Sequence, residues 1–127
     1  MEHRATVRYV RITPRKLRLI ADQVRRKNVN EAQSILRFSS KRGAYFLYKL
    51  LNSALANASQ KPEVNLDSLY ISRLLVEAGP ILKRWRAAPM GRAAPIMKRT
   101  SHATIVLSES TTTASPQPVS TRKRKAK

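Results

Sequence analysis

The stretch 79–99, GPILKRWRAAPMGRAAPIMKR, constrains the fold of this chain more than any other feature of its sequence. It lies between two segments of strand composition, yet it is far longer than a hairpin turn, which takes about two to five residues. We predict that its two halves pair as an antiparallel arm. With about ten residues in each half, the arm projects on the order of 30 Å beyond a sheet.

The charge of this stretch indicates what holds the arm. No acidic residue occurs between Glu77 and Glu109, and the basic residues of the stretch are Lys83, Arg84, Arg86, Arg92, Lys98 and Arg99. Isolated two-stranded hairpins are marginally stable in water, so we expect a polyanion outside the chain to support this one. A basic loop without order in the free protein is the alternative, and it is compatible with an arm that becomes ordered on RNA.

The tip of the predicted arm has its own signals. We expect Gly91 to mark the tip, where a positive φ is needed. Pro89 and Pro95 have no N–H to donate, so we expect regular strand pairing to fail around both. The alanines near the tip make it slim enough to enter a narrow space between RNA walls.

The composition favours a nucleic-acid partner. The 127 residues include 26 Lys and Arg against 7 Asp and Glu, a formal net charge of +19, which repels itself unless a polyanion is near. Hydrophobic residues make up 42%, enough for a small core, and the absence of cysteine excludes disulfides and thiolate metal sites. No apolar run approaches the ~18 residues of a membrane span, and the N-terminus does not resemble a secretion signal, so we expect no membrane partner.

The N-terminal part predicts a strand followed by a helix. Residues 4–13 form the strand, in which Ala5, Val7 and Tyr9 lie on one face. Thr13-Pro14 then supplies the N-cap and the first residue of the helix. The apolar stripe of this helix has i, i+3, i+4, i+7 spacing and consists of Leu17, Ile20, Ala21 and Val24.

Two more helices follow. The second is predicted from Asn30, where Gln33 completes a capping box, and the third runs from Ser39 or Ser40 to about Ser59. Their predicted core residues are Ala32, Ile35, Leu36, Ala44, Leu47, Leu51, Ala54, Leu55 and Ala58.

Two further strands complete the predicted fold, at 69–78 and 96–107, with Leu69, Ile71 and Leu75 on one face of the former. The fold class is therefore α+β. Three helices pack on a small three-stranded antiparallel sheet, with a long extended β-hairpin.

The predicted domain boundary follows a change of composition. The globular domain, which includes the extended hairpin 79–99, spans 1–108. Residues 109–127 are rich in Ser, Thr and Pro and then in Lys and Arg, and we predict a disordered basic tail there.

The predicted site binds RNA by neutralising phosphates, for which the planar fork of arginine is well suited. Trp85, the single tryptophan, lies between Arg84 and Arg86, where it either stacks on a base or packs against the opposite arm. For any one surface arginine, a solvated charge without a partner is the alternative. The predicted RNA-binding residues are Arg8, Arg11, Arg15, Lys16, Arg18, Lys83, Arg84, Trp85, Arg86, Arg92, Lys98, Arg99 and His102.

Nothing in the sequence indicates an enzyme, and we expect no cofactor. Ser101 and His102 are adjacent, and neighbours in a strand point to opposite faces, so they do not form a nucleophile and base. His3 and His102 are the two histidines, with no clustered carboxylates, so no metal site is expected.

Several motifs resemble the L twenty-two family of large-subunit ribosomal proteins. They are GP..KR at 79–84, GRA at 91–93, and I.KRTSH at 96–102 with a following TIV strand, of which KRTSH is highly specific. TPRK at the first helix and SALANA at 53–58 also look like that family. The resemblance covers about 4–108, which is essentially the predicted folded part.

The resemblance implies a structural constituent of the large ribosomal subunit that binds 23S-type rRNA, assists early subunit assembly and contacts neighbouring ribosomal proteins. It implies rRNA contacts at Lys83, Arg84, Arg92, Lys98 and Arg99. It also implies that the hairpin tip lines the nascent-peptide exit tunnel and meets the passing peptide, with Ala88, Pro89, Met90, Gly91 and Arg92 as the lining residues. Ala88 and Met90 stand where the family often has basic residues, so the resemblance implies either a more weakly anchored tip or a different tunnel lining.

A histone-like, non-specific nucleic-acid-binding protein is the alternative function. Its support is charge alone, and it would need a dimer interface or a helix for the major groove. We expect no homo-oligomer. We expect the chain at cytoplasmic ribosomes, while an organellar ribosome remains open from the sequence.

Overall fold

The computed structural model describes residues 1–110, so the part of the predicted tail at 111–127 lies outside the described residues. Helices cover one face of a three-stranded antiparallel sheet of order β1-β5-β2, and β3 and β4 form a separate hairpin, which confirms the predicted α+β class. In chain order the elements are β1 Glu2–Val10, α1 Pro14–Val24, α2 Val29–Phe38, α3 Arg42–Ser59, β2 Leu69–Ala78, β3 Leu82–Ala87, β4 Ala93–Lys98 and β5 Ser101–Glu109.

The core lies between β5, the central strand, and the three helices. Every second residue of β5 is buried, from Ser101 to Leu107, and the predicted stripe of α1 is buried completely. The predicted stripe of α3 is buried except for Leu55, which packs at the edge. A Cβ atom on Gly43 would lie 2.6 Å from Ile20 Cδ1, so this glycine permits the close approach of α3 to α1.

The C-terminal part of β1 differs from the predicted alternation. The pairing of β1 with β5 shifts between Val7 and Val10, and Tyr9 within this bulge has φ +59°. A bulge turns the following residues to the opposite face. Tyr9 is therefore exposed, and Val10 is buried with Ala5. The prediction that Tyr9 shares a face with Ala5 was wrong.

The same cause overturns the predicted face of β2. Its bounds are as predicted, but its pairing with β5 shifts between Ile71 and Arg73. After this shift Leu74 is buried and Leu75 is exposed. Leu75 therefore does not share a face with Leu69 and Ile71.

The helix starts are partly as predicted. Thr13 is the N-cap residue of α1, although its side chain makes no capping hydrogen bond. The N-cap of α2 is Asn28, and Gln33 Nε2 donates to Asn52 Oδ1 of α3 (3.0 Å), so the capping box was wrong. The third helix was predicted to begin at Ser39 or Ser40, but α3 begins after both serines, at Arg42.

The hairpin continues β2 and β5 beyond the sheet, so the single strand predicted at 96–107 is two strands, β4 and β5. The Gly79 N–H donates to Thr100 O (2.9 Å), and Thr100 Oγ1 donates to Pro80 O (2.6 Å). Regular pairing resumes at Leu82 and Lys98. Because of this interruption the regular ladder has six residues in each strand and spans roughly 20 Å. The two arms, joined at one end by Gly79 and Thr100 and at the other by Ala88 and Arg92, have about ten residues each, as predicted.

The tip confirms one prediction and overturns another. Gly91 has φ +70°, as predicted, and Met90 beside it has φ +62°. Pairing runs through Pro95, which lies opposite Trp85. The Ala88 N–H donates to Arg92 O (2.8 Å), and hydrogen-bonded pairs alternate with non-hydrogen-bonded pairs along an antiparallel ladder. The Trp85–Pro95 pair therefore falls at a non-hydrogen-bonded position, where proline removes no ladder bond.

Candidate nucleic-acid interface

The hairpin carries its basic residues in the open. All six, at positions 83, 84, 86, 92, 98 and 99, are exposed, and in the two hairpin strands every residue is exposed except the half-buried Leu82 and Ile96. Lys83, Arg84 and Arg86 lie opposite Met97, Ile96 and Ala94, which are uncharged. The cross-strand partners therefore leave these charges without neutralisation.

The two faces of the hairpin differ. Residues two apart in a strand share a face, so Arg84 and Arg86 form one basic face while Lys83 and Trp85 lie on the other. The Trp85 side chain is 68% exposed, and Met90 at the tip is 95% exposed. Two arrangements were predicted for Trp85, stacking on a base or packing against the opposite arm. The exposure of the indole favours the first, because it leaves ring surface free for stacking.

A groove of about 820 Å³ lies where the hairpin meets the globular part. We call it the hairpin-base groove. Three segments that are distant in sequence line it: the first two turns of α1 with the residues before it, the start of α3 with the residue before it, and the end of β4 with the residue after it. Its lining residues are Arg11, Ile12, Thr13, Lys16, Leu19, Ile20, Lys41, Arg42, Gly43, Met97, Lys98 and Arg99.

The groove brings four predicted site residues together, namely Arg11, Lys16, Lys98 and Arg99. It also contains Lys41 and Arg42, which are not among the RNA-binding residues predicted from the sequence. The signal that could have found them is a pair of basic residues at a helix start that has no acidic residue in its first turn.

Two other predicted site residues make contacts inside the protein. Arg18 donates from Nε and Nη2 to Val76 O, at 3.3 and 3.1 Å, and so connects α1 to β2. His102 Nδ1 accepts a hydrogen bond from the Tyr9 N–H (3.0 Å), and the two rings meet edge to face at 4.9 Å. These contacts give Arg18 and His102 a structural role that their sequence positions did not indicate.

The remaining predicted residues lie apart from the groove. Arg15 is exposed on α1. Arg8 is exposed at the bulge of β1, with its guanidinium carbon 5.3 Å from the centre of the Tyr9 ring. The structure therefore divides the predicted set among the hairpin, the groove and the surface of the globular part.

The acidic residues that form ion pairs lie far along the chain from the hairpin. Within residues 1–110, the ion pairs are Arg25–Asp22 (2.5 Å) and Lys27–Glu31 (2.6 Å). In the same described part, no cluster of His, Cys, Asp and Glu is suited to a metal ion. Among the helices described there, none has both the length and the apolarity needed to cross a membrane.

The fold and this charge distribution define a small basic α+β protein with a projecting cationic hairpin. Residues 5–108 match the model of a family described as ribosomal protein L22p/L17e. The chain therefore belongs to the ribosomal protein L22p/L17e family, which confirms the resemblance seen in its motifs.

Individual relatives agree with this assignment. A large ribosomal subunit protein uL22 of Desulfotalea psychrophila is 50% identical over 109 residues, which are 86% of this chain and 99% of the relative. The protein of the same description from Thermus thermophilus is 50% identical over 109 residues, 86% of this chain and 96% of that protein. The one from Caldicellulosiruptor saccharolyticus is 52% identical over 105 residues, 83% and 86% of the two chains.

Proposed function

We propose that this chain is a structural constituent of the large ribosomal subunit, where it binds large-subunit rRNA and assists early subunit assembly. Its hairpin then lines the nascent-peptide exit tunnel. Membership of a ribosomal protein family supports the structural role, and the relatives named above are described as large-subunit proteins. Neighbouring ribosomal proteins and the passing peptide are the other partners under this proposal.

The observation that carries the RNA-binding part is the exposure of an acid-free hairpin. Its two strands pair with each other and have no core of their own, and isolated hairpins of this kind are marginal in water. Phosphates placed on its basic side chains would supply both the missing support and the missing negative charge.

The chemistry of the tip supports a place in a tunnel wall. Residues 87, 88, 93 and 94 are alanines, so the end of the hairpin is narrow, and Met90 projects from it. Arg92 is the basic residue in the tip segment 88–92. A narrow, weakly charged end can lie between RNA walls and meet a peptide without binding it tightly.

Competition between nucleic acids tests the RNA-binding part. The full chain is bound to labelled large-subunit rRNA and challenged with unlabelled rRNA or unlabelled duplex DNA at the same nucleotide concentration. We expect rRNA to compete at a lower concentration and the affinity to fall steeply with salt. Stronger competition by duplex DNA would contradict the proposal and favour the histone-like alternative.

Deletion of residues 86–95 tests the division between anchor and tip. Most basic residues lie outside the deleted segment, so we expect the shortened protein to enter large subunits at nearly the normal amount. We expect changed chemical reactivity of tunnel-wall nucleotides in those subunits. Failure of the shortened protein to enter subunits would mean that the tip is needed for anchoring.

A further inference from the structure

We propose that the hairpin-base groove binds one unstacked nucleotide of a single-stranded RNA segment. Its phosphates lie on the basic rim and its base lies on the apolar floor. This inference rests on the proposed function and names the RNA element that one part of the surface would recognise. It adds a defined contact on the globular part to the general attraction of the hairpin for phosphate.

The size and form of the groove suit a nucleotide. Its volume of about 820 Å³ falls in the range of sites for small ligands, roughly 300–1,000 Å³. The lining comes from α1, α3 and the base of the hairpin, and the two helices are held by the core. The space is therefore bounded by rigid structure on the side of the helices.

The rim is entirely basic. Its charged residues are Arg11, Lys16, Lys41, Arg42, Lys98 and Arg99, and no acidic residue lines the groove. The first turns of α1 and α3 border it, and neither has an acidic residue. The described ion pairs involve Asp22 and Glu31, which are not among the lining residues. The rim is therefore complementary to a phosphodiester backbone.

The floor is apolar and partly open to solvent. Leu19 and Met97 are 55% and 52% exposed, and Ile12 and Ile20 are buried close by. Exposed apolar side chains of this size between basic ones offer a surface for a flat base. Paired bases in an RNA helix are hidden in a deep groove, whereas unstacked bases in single strands can reach such a surface.

Other occupants fit less well. The chain's own C-terminal segment 121–127 has five basic residues and no acidic one, so the basic rim repels it. An acidic peptide would satisfy the rim but would not need the apolar floor. Lys98 belongs to the hairpin as well as to the groove, so an RNA strand that follows the hairpin reaches the groove directly.

An occupied groove would have a mechanical consequence. The hairpin joins the globular part through β2 and β5, where pairing is interrupted near Pro80. A nucleotide that touches Arg42 of α3 and Lys98 of β4 would bridge the body and the arm. RNA binding at the groove would therefore fix the direction of the hairpin.

The test of the rim uses the full chain, a short oligouridylate and an oligomer of the same length without bases. Lys41→Gln with Arg42→Gln removes two rim charges, and Arg37→Gln with Lys49→Gln removes two exposed charges outside the groove. We expect the rim variant to bind both oligomers roughly 10- to 30-fold more weakly at about 0.1 M salt. The slope of log affinity against log salt should decrease by about 1.4 for two lost phosphate contacts. Equal losses in the rim variant and the control would overturn the proposal.

The test of the floor uses Leu19→Ala, with Leu75→Ala as a control at a similarly exposed leucine outside the groove. We expect Leu19→Ala to weaken oligouridylate binding by more than about threefold, through lost apolar contact with the base, and to leave binding of the base-free oligomer unchanged. An equal loss of binding to both oligomers in Leu19→Ala would overturn the proposal. Stronger displacement of oligouridylate by polyglutamate than by the base-free oligomer would overturn it as well. The rRNA competition described above is a separate measurement, so the proposed function can stand when this inference fails.

Discussion

A Cβ atom added to Gly79 would lie 2.5 Å from Thr100 Oγ1, closer than Cβ atoms approach such neighbours in proteins. The same atom would be 3.1 Å from His102 Cε1. These contacts lie where β2 and β5 leave the sheet and the hairpin begins. The absence of a side chain at Gly79 therefore allows the two segments that follow β2 and precede β5 to stay side by side at this point.

Gly79→Ala should destabilise the protein at the base of the hairpin. Thr100 Oγ1 cannot turn away freely, because it donates to Pro80 O, and overpacking of this kind costs about 1–3 kcal/mol. Urea denaturation gives the change in the free energy of unfolding. Adding Thr100→Ala to Gly79→Ala should cost less than the sum of the two single changes, whereas strict additivity would contradict the proposed clash.

His102→Ala should destabilise the bulge in β1. The variant leaves the Tyr9 N–H without its acceptor, and since this position is partly accessible to water we expect a loss of about 1 kcal/mol. In His102→Asn the Oδ1 atom stands near the place of Nδ1 and should retain part of that free energy. The free energy of unfolding and the affinity for rRNA are both measured for each variant. A fall in rRNA affinity in both variants would show that the ring also contacts RNA.

Arg18 and Arg15 lie on the same helix and should respond differently to replacement by glutamine. Arg18→Gln removes the hydrogen bonds to Val76 O and should lower the free energy of unfolding by about 1 kcal/mol. Arg15→Gln should leave unfolding unchanged and, if Arg15 meets a phosphate, reduce the salt slope of rRNA binding by about 1. The opposite assignment of the two effects would show that the contacts of Arg18 are not those that stabilise α1 on β2.

Trp85→Ala should weaken RNA binding more than it weakens the fold. Since the side chain is largely exposed, the free energy of unfolding, measured by thermal denaturation, should change by no more than about 0.5 kcal/mol. A lost stacking contact should weaken rRNA binding by about 1–3 kcal/mol. Ile81→Ala, at another exposed apolar residue near the hairpin, is the control, and equal binding losses in the two variants would argue against stacking at Trp85.

Structural features that depend on residues close together in the chain were predicted correctly from the sequence. The stripe of Leu17, Ile20, Ala21 and Val24 fits a helix, and Thr13-Pro14 marks its start, because each signal depends on residues within a few positions. The positive φ at Gly91 was also predicted correctly, because it depends on the presence of glycine at the turn itself. The predicted faces failed at Tyr9 and Leu75, since a bulge in one strand depends on its pairing with another strand.

The sequence by itself determined the α+β class, the helical core stripes and an acid-free arm, because hydrophobic periodicity and charge are properties of neighbouring residues. Tertiary structure alone decided that Arg18 bonds to the carbonyl of Val76 and that Tyr9 bonds to His102. It also brought Arg11, Arg42 and Lys98 to one groove. Packing of the helices on the sheet creates these proximities, and no short stretch of sequence contains the information about which distant segments will meet.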